Sequence, residues 1–206
     1  MKISAYTLVK EAPFYLDDNA DYRDHDNVIR KDAFTCNNEP GFQEYAQGLT
    51  EGKIYTFEEC DEQYLGTSKD YNNWRNMLAQ ALGYEKHELD LETWRTNLAK
   101  EMGYDRWQDA RSTIHWLILS TTDLNEINRT PYLSGAWQAI NGPHWLLLNY
   151  TDNTGVIGNE YCKKIYQELL EFEPKAKSLG NFFLEKYIKM RDIFGLAQNG
   201  GVVQFG

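Results

Sequence analysis

The chain of 206 residues has only three cysteines, Cys36, Cys60 and Cys162, and none forms a Cys-x-x-Cys pair. An odd count without a secretory signal points to free thiols in a reducing compartment. The first residues, Met1 to Lys10, are too short and polar a stretch for a signal peptide. No apolar run approaches the length of a membrane span. A cytoplasmic protein with no membrane contact is expected. Basic residues are also scarce, with 21 Lys and Arg against 31 Asp and Glu for a net charge of −10. That balance lacks the basic footprint of nonspecific nucleic-acid binding, so no nucleic-acid partner is expected.

Catalytic signatures are missing as well. Neither GxxxxGK[ST] nor GxGxxG is present, and there is no GxSxG, HExxH or Cys/His motif. His25, His87, His115 and His144 are scattered, and no pair of carboxylates has a spacing that singles it out. No catalytic residue, metal ligand or cofactor is assigned. Linkers and low-complexity tracts are absent too.

What the chain does have is a unit written twice. Asp70 to Glu85 and Asp90 to Asp105 share seven of sixteen positions: Asp, Trp, Arg, Leu, Ala, Gly and Tyr. Both copies read as helices, capped by Thr67 or Ser68 and by Asp90 respectively. Tyr71, Trp74, Leu78 and Leu82 form one apolar stripe, and Leu91, Trp94, Leu98 and Met102 the other. Gly83 and Gly103 stand where a helix ends in the left-handed conformation. Two copies are too few for a solenoid, so 70–105 is a duplicated helical element within one globular domain, 1–206.

Ahead of the repeat, residues 2–9 and 53–58 read as strands, rich in β-branched and aromatic residues. Residues 11–32, with their run of Asp around His25, read as an exposed loop that lacks the Gly and terminal Glu of a calcium site. A short helix is predicted from Phe42 to Leu49. After the repeat, a helix is predicted from Asp105 through Ile118 and another from Thr130 to Asn141, where Gly142-Pro143 stops it. Trp145 to Leu148 is buried as strand or helix, and Asn149 to Gly158 is a polar loop with too few acidic ligands for a metal. Two helices follow, one from Asn159 to Pro174 and one opened by Ser178, before a final strand at 202–205. The sum is an α+β fold, mainly helical, with about six helices and a small antiparallel sheet of 2–9, 53–58 and 202–205.

The most promising spot is Gly66-Thr67-Ser68 followed by Trp74-Arg75. A helix start offers free N–H groups, and small residues let an anion approach them. Arg75 offers a bidentate contact, while Tyr64, Tyr71 and Trp74 offer rings to stack on. The second copy lacks this entry, since Asp90 stands in place of Thr-Ser.

Three blocks carry a resemblance. Gly66-x-Ser68…Tyr71-Asn72-x-Trp74-Arg75-x-x-Leu78-Ala79-x-x-x-Gly83-Tyr84 is similar to a block in a family of uncharacterised bacterial and phage proteins, where Gly-Ser-Tyr leads into Tyr-Asn-Arg-Trp-Arg. Leu147-Leu148-Asn149-Tyr150-Thr151-Asp152-x-x-Gly155-x-Ile157…Cys162-Lys163 resembles that family's Leu-Asn-His-Ser-Asp-Cys-Asp-Gly loop. Gly200-Gly201-Val202-Val203-Gln204-Phe205-Gly206 resembles its Gly-Gly-Gly-Val-Glu-Phe terminus. Tyr150 replaces the family's His, Thr154 its second Asp, and 90–105 looks like an insertion. The family carries no established activity. The resemblance implies only that the three blocks converge in space.

The leading functional expectation is a non-enzymatic accessory protein that binds a small polar, nucleotide-like ligand through Gly66, Ser68, Tyr71, Trp74, Arg75, Asn149 and Asp152. A second expectation comes from charge. Residues 1–68 hold fourteen Asp and Glu against six Lys and Arg. Such an acidic third suits a basic protein partner, as in an immunity or inhibitor module. A third is a hydrolase whose site is not evident from sequence.

Overall fold

The computed structural model describes residues 1–38, 42–84, 96, 99–100, 103–106, 108–109, 142–150 and 155–206. It divides into two compact units, 1–74 with 150–206, and 75–149.

The first unit is built on a four-stranded antiparallel sheet. Its strands are β1 (Lys2–Tyr6), β8 (Cys60–Tyr64), β9 (Val156–Ile157) and β10 (Val202–Phe205), in the order β8-β1-β10-β9. Ile3 pairs with Phe205 and Ala5 with Val203 across the centre, and Ile3 and Gln63 pair on the other side. Two long helices, α3 (Asn159–Ala176) and α4 (Asn181–Ala197), pack together and cover this sheet. Their inward stripes are Cys162, Ile165, Leu169 and Phe172, and Phe183, Tyr187, Met190 and Phe194. Tyr187 ties the pair together by donating its hydroxyl to the Leu169 carbonyl. Burying each large apolar side chain of these stripes contributes about 1.5–3 kcal/mol.

Two smaller antiparallel sheets fill the N-terminal third. One has the order β2 (Lys10–Glu11), β7 (Ile54–Thr56), β6 (Ala33–Thr35). Its Phe34 and Tyr55 join Tyr6, Cys36 and Val202 in a second core, where the Tyr6 and Phe34 rings stack at 4.6 Å. The other is a meander of β3 (Tyr15–Leu16), β4 (Tyr22–Arg23) and β5 (Ile29–Arg30).

The helix α1 (Ser68–Leu82) begins in the first unit and continues into the second, where α2 (Trp145–Asn149) is a single short helix. Gly83 ends α1 at a φ of 80°, and the Tyr84 N–H folds back to the Ala79 carbonyl, the Schellman-like ending that the sequence predicts.

The expected mainly helical fold of about six helices with one small sheet is therefore corrected. The described residues hold four helices and three antiparallel sheets, with about 41% helix and 20% strand. The fold is α+β, but the strand at 54–56 does not join β1 and β10. It pairs with β2 and β6, and β8 takes the place beside β1. The predicted helix at 42–49 is one 3-10 turn, Gln43–Ala46. Pro174 does not end α3, which runs on to Ala176. A proline in the last turn removes one hydrogen bond and leaves the rest of the ladder intact. Most of the second repeat copy, the predicted helix from Thr130 to Asn141 and the helix expected from Asp105 beyond residue 109 lie outside the described residues, and where that last helix should begin Arg106 and Asp109 close a turn instead.

Candidate functional site

The start of α1 is closed by a capping box. Thr67 Oγ1 accepts the Asp70 N–H at 3.2 Å, and the Asp70 carboxylate accepts both the N–H and the hydroxyl of Thr67 at 2.8 Å. Thr67, not Ser68, is the cap. Gly66 is required here, because its φ is +95° and a Cβ would stand 2.7 Å from the Asp70 oxygen. The amino group of Met1 donates to the Gly66 carbonyl at 2.7 Å. The Thr67 N–H holds the Asp70 carboxyl below its usual range, helped by the positive charge of Lys186.

The seven expected ligand residues separate into different surroundings. Gly66 is half-buried and Ser68 exposed at this junction. Tyr71 and Trp74 are in the core instead. Trp74 is fully buried, its ring stacked on Phe183 at 5.4 Å and on Tyr71 at 5.9 Å. Tyr71 in turn lies 6.3 Å from Phe205, which lies 5.3 Å from Tyr150. The Gly155 carbonyl accepts the Phe205 N–H. Residues of the three sequence blocks thus meet in the first unit, through ring packing. In the second unit, Arg75 is buried and donates from Nη1 to the Leu148 carbonyl at 2.8 Å, while Asn149 Nδ2 donates to the Trp145 carbonyl at 2.7 Å. Asp152 lies outside the described residues.

Two further groups at the α1 start come from α4. Lys186 is only 8% exposed, with its ammonium 4.0 Å from the centre of the Phe182 ring. It makes no hydrogen bond or ion pair with any described residue. One turn on, Lys189 Nζ donates to the Tyr64 carbonyl at 3.1 Å and pairs with Glu185. Phe182, Lys186 and Lys189 share one face of α4 by their spacing. Tyr64 and Phe182 leave much of their rings in solvent. The junction of β8 and α1 therefore combines a capped helix start, a buried lysine and two accessible rings. Sequence reading passed over Lys186 and Phe182, yet a signal was there. Lys186 is a cation inside the apolar stripe of α4, between Phe183 and Tyr187.

The acidic run at 17–26 is an ordered part of the β3–β5 meander. Asp17 Oδ1 accepts the N–H groups of Asn19 and Asp21, and Asp24 Oδ1 accepts those of Asp26 and Val28. Each turn closes through a residue with positive φ, Ala20 at 61° and Asn27 at 64°. Arg23 binds Asp17, and Arg30 binds Asp32 through two nitrogens. These bonds hold the carboxyls of Asp17, Asp24 and Asp32 below their ordinary range: the Arg23 side chain foremost for Asp17, the Val28 N–H for Asp24 and the Arg30 side chain for Asp32.

Two of the three thiols are withdrawn from solvent, while Cys60 is exposed. Cys36 and Cys162 are buried, and burial pushes the Cys36 thiol up to about 11. Among the described residues no three His, Cys, Asp or Glu cluster to hold a metal ion, and no helix is long and apolar enough to cross a membrane. Comparison with protein-family models, with curated proteins and with solved structures gives no match for this chain.

Proposed function

We propose that this chain is a non-enzymatic binding protein for a small, nucleotide-like anion, held where β8 runs into α1. The observation that supports this reading is Lys186. Buried charges in folded proteins are ordinarily paired, because desolvating an ammonium costs several kcal/mol. In a chain with 31 carboxylates, a lysine only 8% exposed whose charge reaches Asp70 without forming an ion pair with any described residue leaves room for an incoming anionic group. On this reading Lys186 binds the anionic group. Gly66 and Ser68 lie beside the capped helix start, and Tyr64 and Phe182 offer faces to a planar base. Tyr71 and Trp74 act from behind, as the packing that fixes the α1 start against α4.

The test is a thermal-shift and calorimetric titration with nucleoside mono- and diphosphates, cyclic nucleotides and inorganic phosphate. A binding ligand raises the melting temperature in proportion to its saturation. Lys186→Met should weaken binding by about tenfold or more, the loss of one charge-assisted contact. Its own stability should hold or rise, since methionine suits the apolar stripe. The reading fails if no compound in the panel shifts the melting temperature, or if Lys186→Met binds as wild type does.

A further inference from the structure

The β3–β5 meander presents an unusual surface. Its strands pair Tyr15 with Arg23 and Ile29 in one row, and Leu16 with Tyr22 and Arg30 in the next. Neighbouring residues of a strand face opposite ways, so the two rows lie on opposite faces. Both faces are open only in part, since Tyr22 is half-buried against Thr35 and Arg30 lies over the Phe14 ring. Tyr15, Leu16, Val28 and Ile29 are 46%, 47%, 55% and 45% exposed. Ten large apolar residues are exposed among those described, and four of them fall in this stretch of sixteen. Isolated exposed apolar residues are ordinary, but a group on one projection marks a contact surface.

The charge around this group has one sign. Residues 15–30 hold five carboxylates and two guanidiniums. Both guanidiniums are tied down internally, Arg23 to Asp17 and the Asn27 carbonyl, and Arg30 to Asp32 and Asp24. Asp18, Asp21 and Asp26 have no Lys or Arg ion-pair partner among the described residues; Asp18 and Asp26 are exposed and Asp21 is half-buried. Each turn is closed by an aspartate accepting two backbone N–H groups. Tyr15 and Ile29 flank Arg23 on one face, and exposed apolar groups within an acidic surround have the make-up of a protein-binding surface.

We propose that this flap docks a protein partner whose contact face is basic around an apolar centre. Charge complementarity selects the basic partner, because an acidic rim repels acidic faces and steers basic ones. Tyr15 and Ile29, on the same face either side of Arg23, supply the anchors. A simple electrostatic tether would need no such group.

Fluorescence anisotropy with three synthetic peptides tests this on the full chain. One is an amphipathic Lys–Leu helix, the second its Glu–Leu counterpart, and the third a Lys–Ser peptide of equal charge to the first. The Lys–Leu peptide should bind at least about tenfold more tightly than the other two. Val28→Ser with Ile29→Ser should weaken it about tenfold, and so should Asp18→Asn, Asp21→Asn and Asp26→Asn together. Circular dichroism checks that both variants fold, and hydrogen exchange should show peptide-dependent protection within 15–30. The proposal is overturned if both variants bind the Lys–Leu peptide as wild type does, since the diffuse charge of the chain then suffices. It is equally overturned if sedimentation shows wild type dimerising and the Val28→Ser, Ile29→Ser variant monomeric, because the occupant is then a second copy.

Discussion

Two buried polar residues carry an outsized share of the structure. Asn38 behaves like a piece of backbone. Its Nδ2 donates to the carbonyls of Phe42 and Val156 at 2.9 Å, and its Oδ1 accepts the Val156 N–H at 2.9 Å. Gly155 is needed for this approach, as a Cβ there would stand 2.4 Å from the Asn37 carbonyl. Asn38→Ala leaves one buried donor and two acceptors short of a partner, and should cost about 3 kcal/mol in a urea titration. His144 acts through pH. It is buried, with a backbone φ of 59°, and burial lowers its pKa from 6.5 to about 4. The unfolded chain therefore binds this proton at a higher pH than the folded chain, and stability falls as pH drops from 6.5 toward 4. Between pH 7 and 5 the loss should be about 2 kcal/mol. The depressed carboxyls of Asp17, Asp24 and Asp70 contribute stability that is lost only lower, as pH falls below 3.8. His144→Asn keeps a residue that tolerates the left-handed backbone and removes the titration. Urea midpoints of this variant should be flat over the same window, and a slope equal to wild type would assign the effect elsewhere.

At the scale of elements, what the sequence reveals depends on whether the stabilising partner is local. The α1 start is local, and its cap and its glycine ending stand close to where the residues put them. Replacing Thr67 by Ala should cost about 1 kcal/mol by urea denaturation, the ordinary value of a helix cap. The stripes of α3 and α4 are also local, and so is the alternation in β1. The neighbour of a strand is not. Cys60 to Tyr64 is a charged, half-exposed segment with no apolar alternation, and it becomes β8 because Lys2 to Tyr6 offers a free edge. The 54–56 strand is read correctly as a strand and wrongly placed, since its pairing with β2 and β6 rests on partners distant in sequence, such as Lys10 for Thr56 and Phe34 for Tyr55. The meander is hidden for another reason. Two-residue strands are too short to alternate, so the run reads as loop. Its order comes from Asp17 and Asp24, seven residues apart, each with a turn built on its own carboxylate. The candidate ligand residues divide along the same line. Gly66 and Ser68 are legible from the helix start, whereas Tyr71 and Trp74 were assigned to a ligand when the rings of Phe183 and Phe205 had already claimed them.

Charge is a property of the whole molecule, and here its distribution matters more than its sum. Of the net −10, the first 68 residues account for −8, since they hold fourteen Asp and Glu against six Lys and Arg. Like charges gathered in one part of a chain oppose compaction, and salt relieves them within a Debye length of about 10 Å at 0.1 M. Surface ion pairs act in the other direction and weaken with salt, but exposed pairs contribute little. The repulsion should dominate, so the urea midpoint at pH 7 should rise as KCl goes from about 10 to about 300 mM. The same reasoning separates carboxylates that hold the fold from those that do not. Asp17 and Asp24 accept backbone N–H groups in the turns, whereas the Asp18, Asp21 and Asp26 side chains make no hydrogen bond to the backbone of the described residues. Neutralising these three as asparagine should therefore raise the midpoint at low salt, with the gain shrinking as KCl is added. A chain that keeps three carboxylates against its own stability follows the pattern of residues retained for binding. The opposite result, a lowered midpoint that salt does not restore, would make these carboxylates structural and remove the charge argument for the flap.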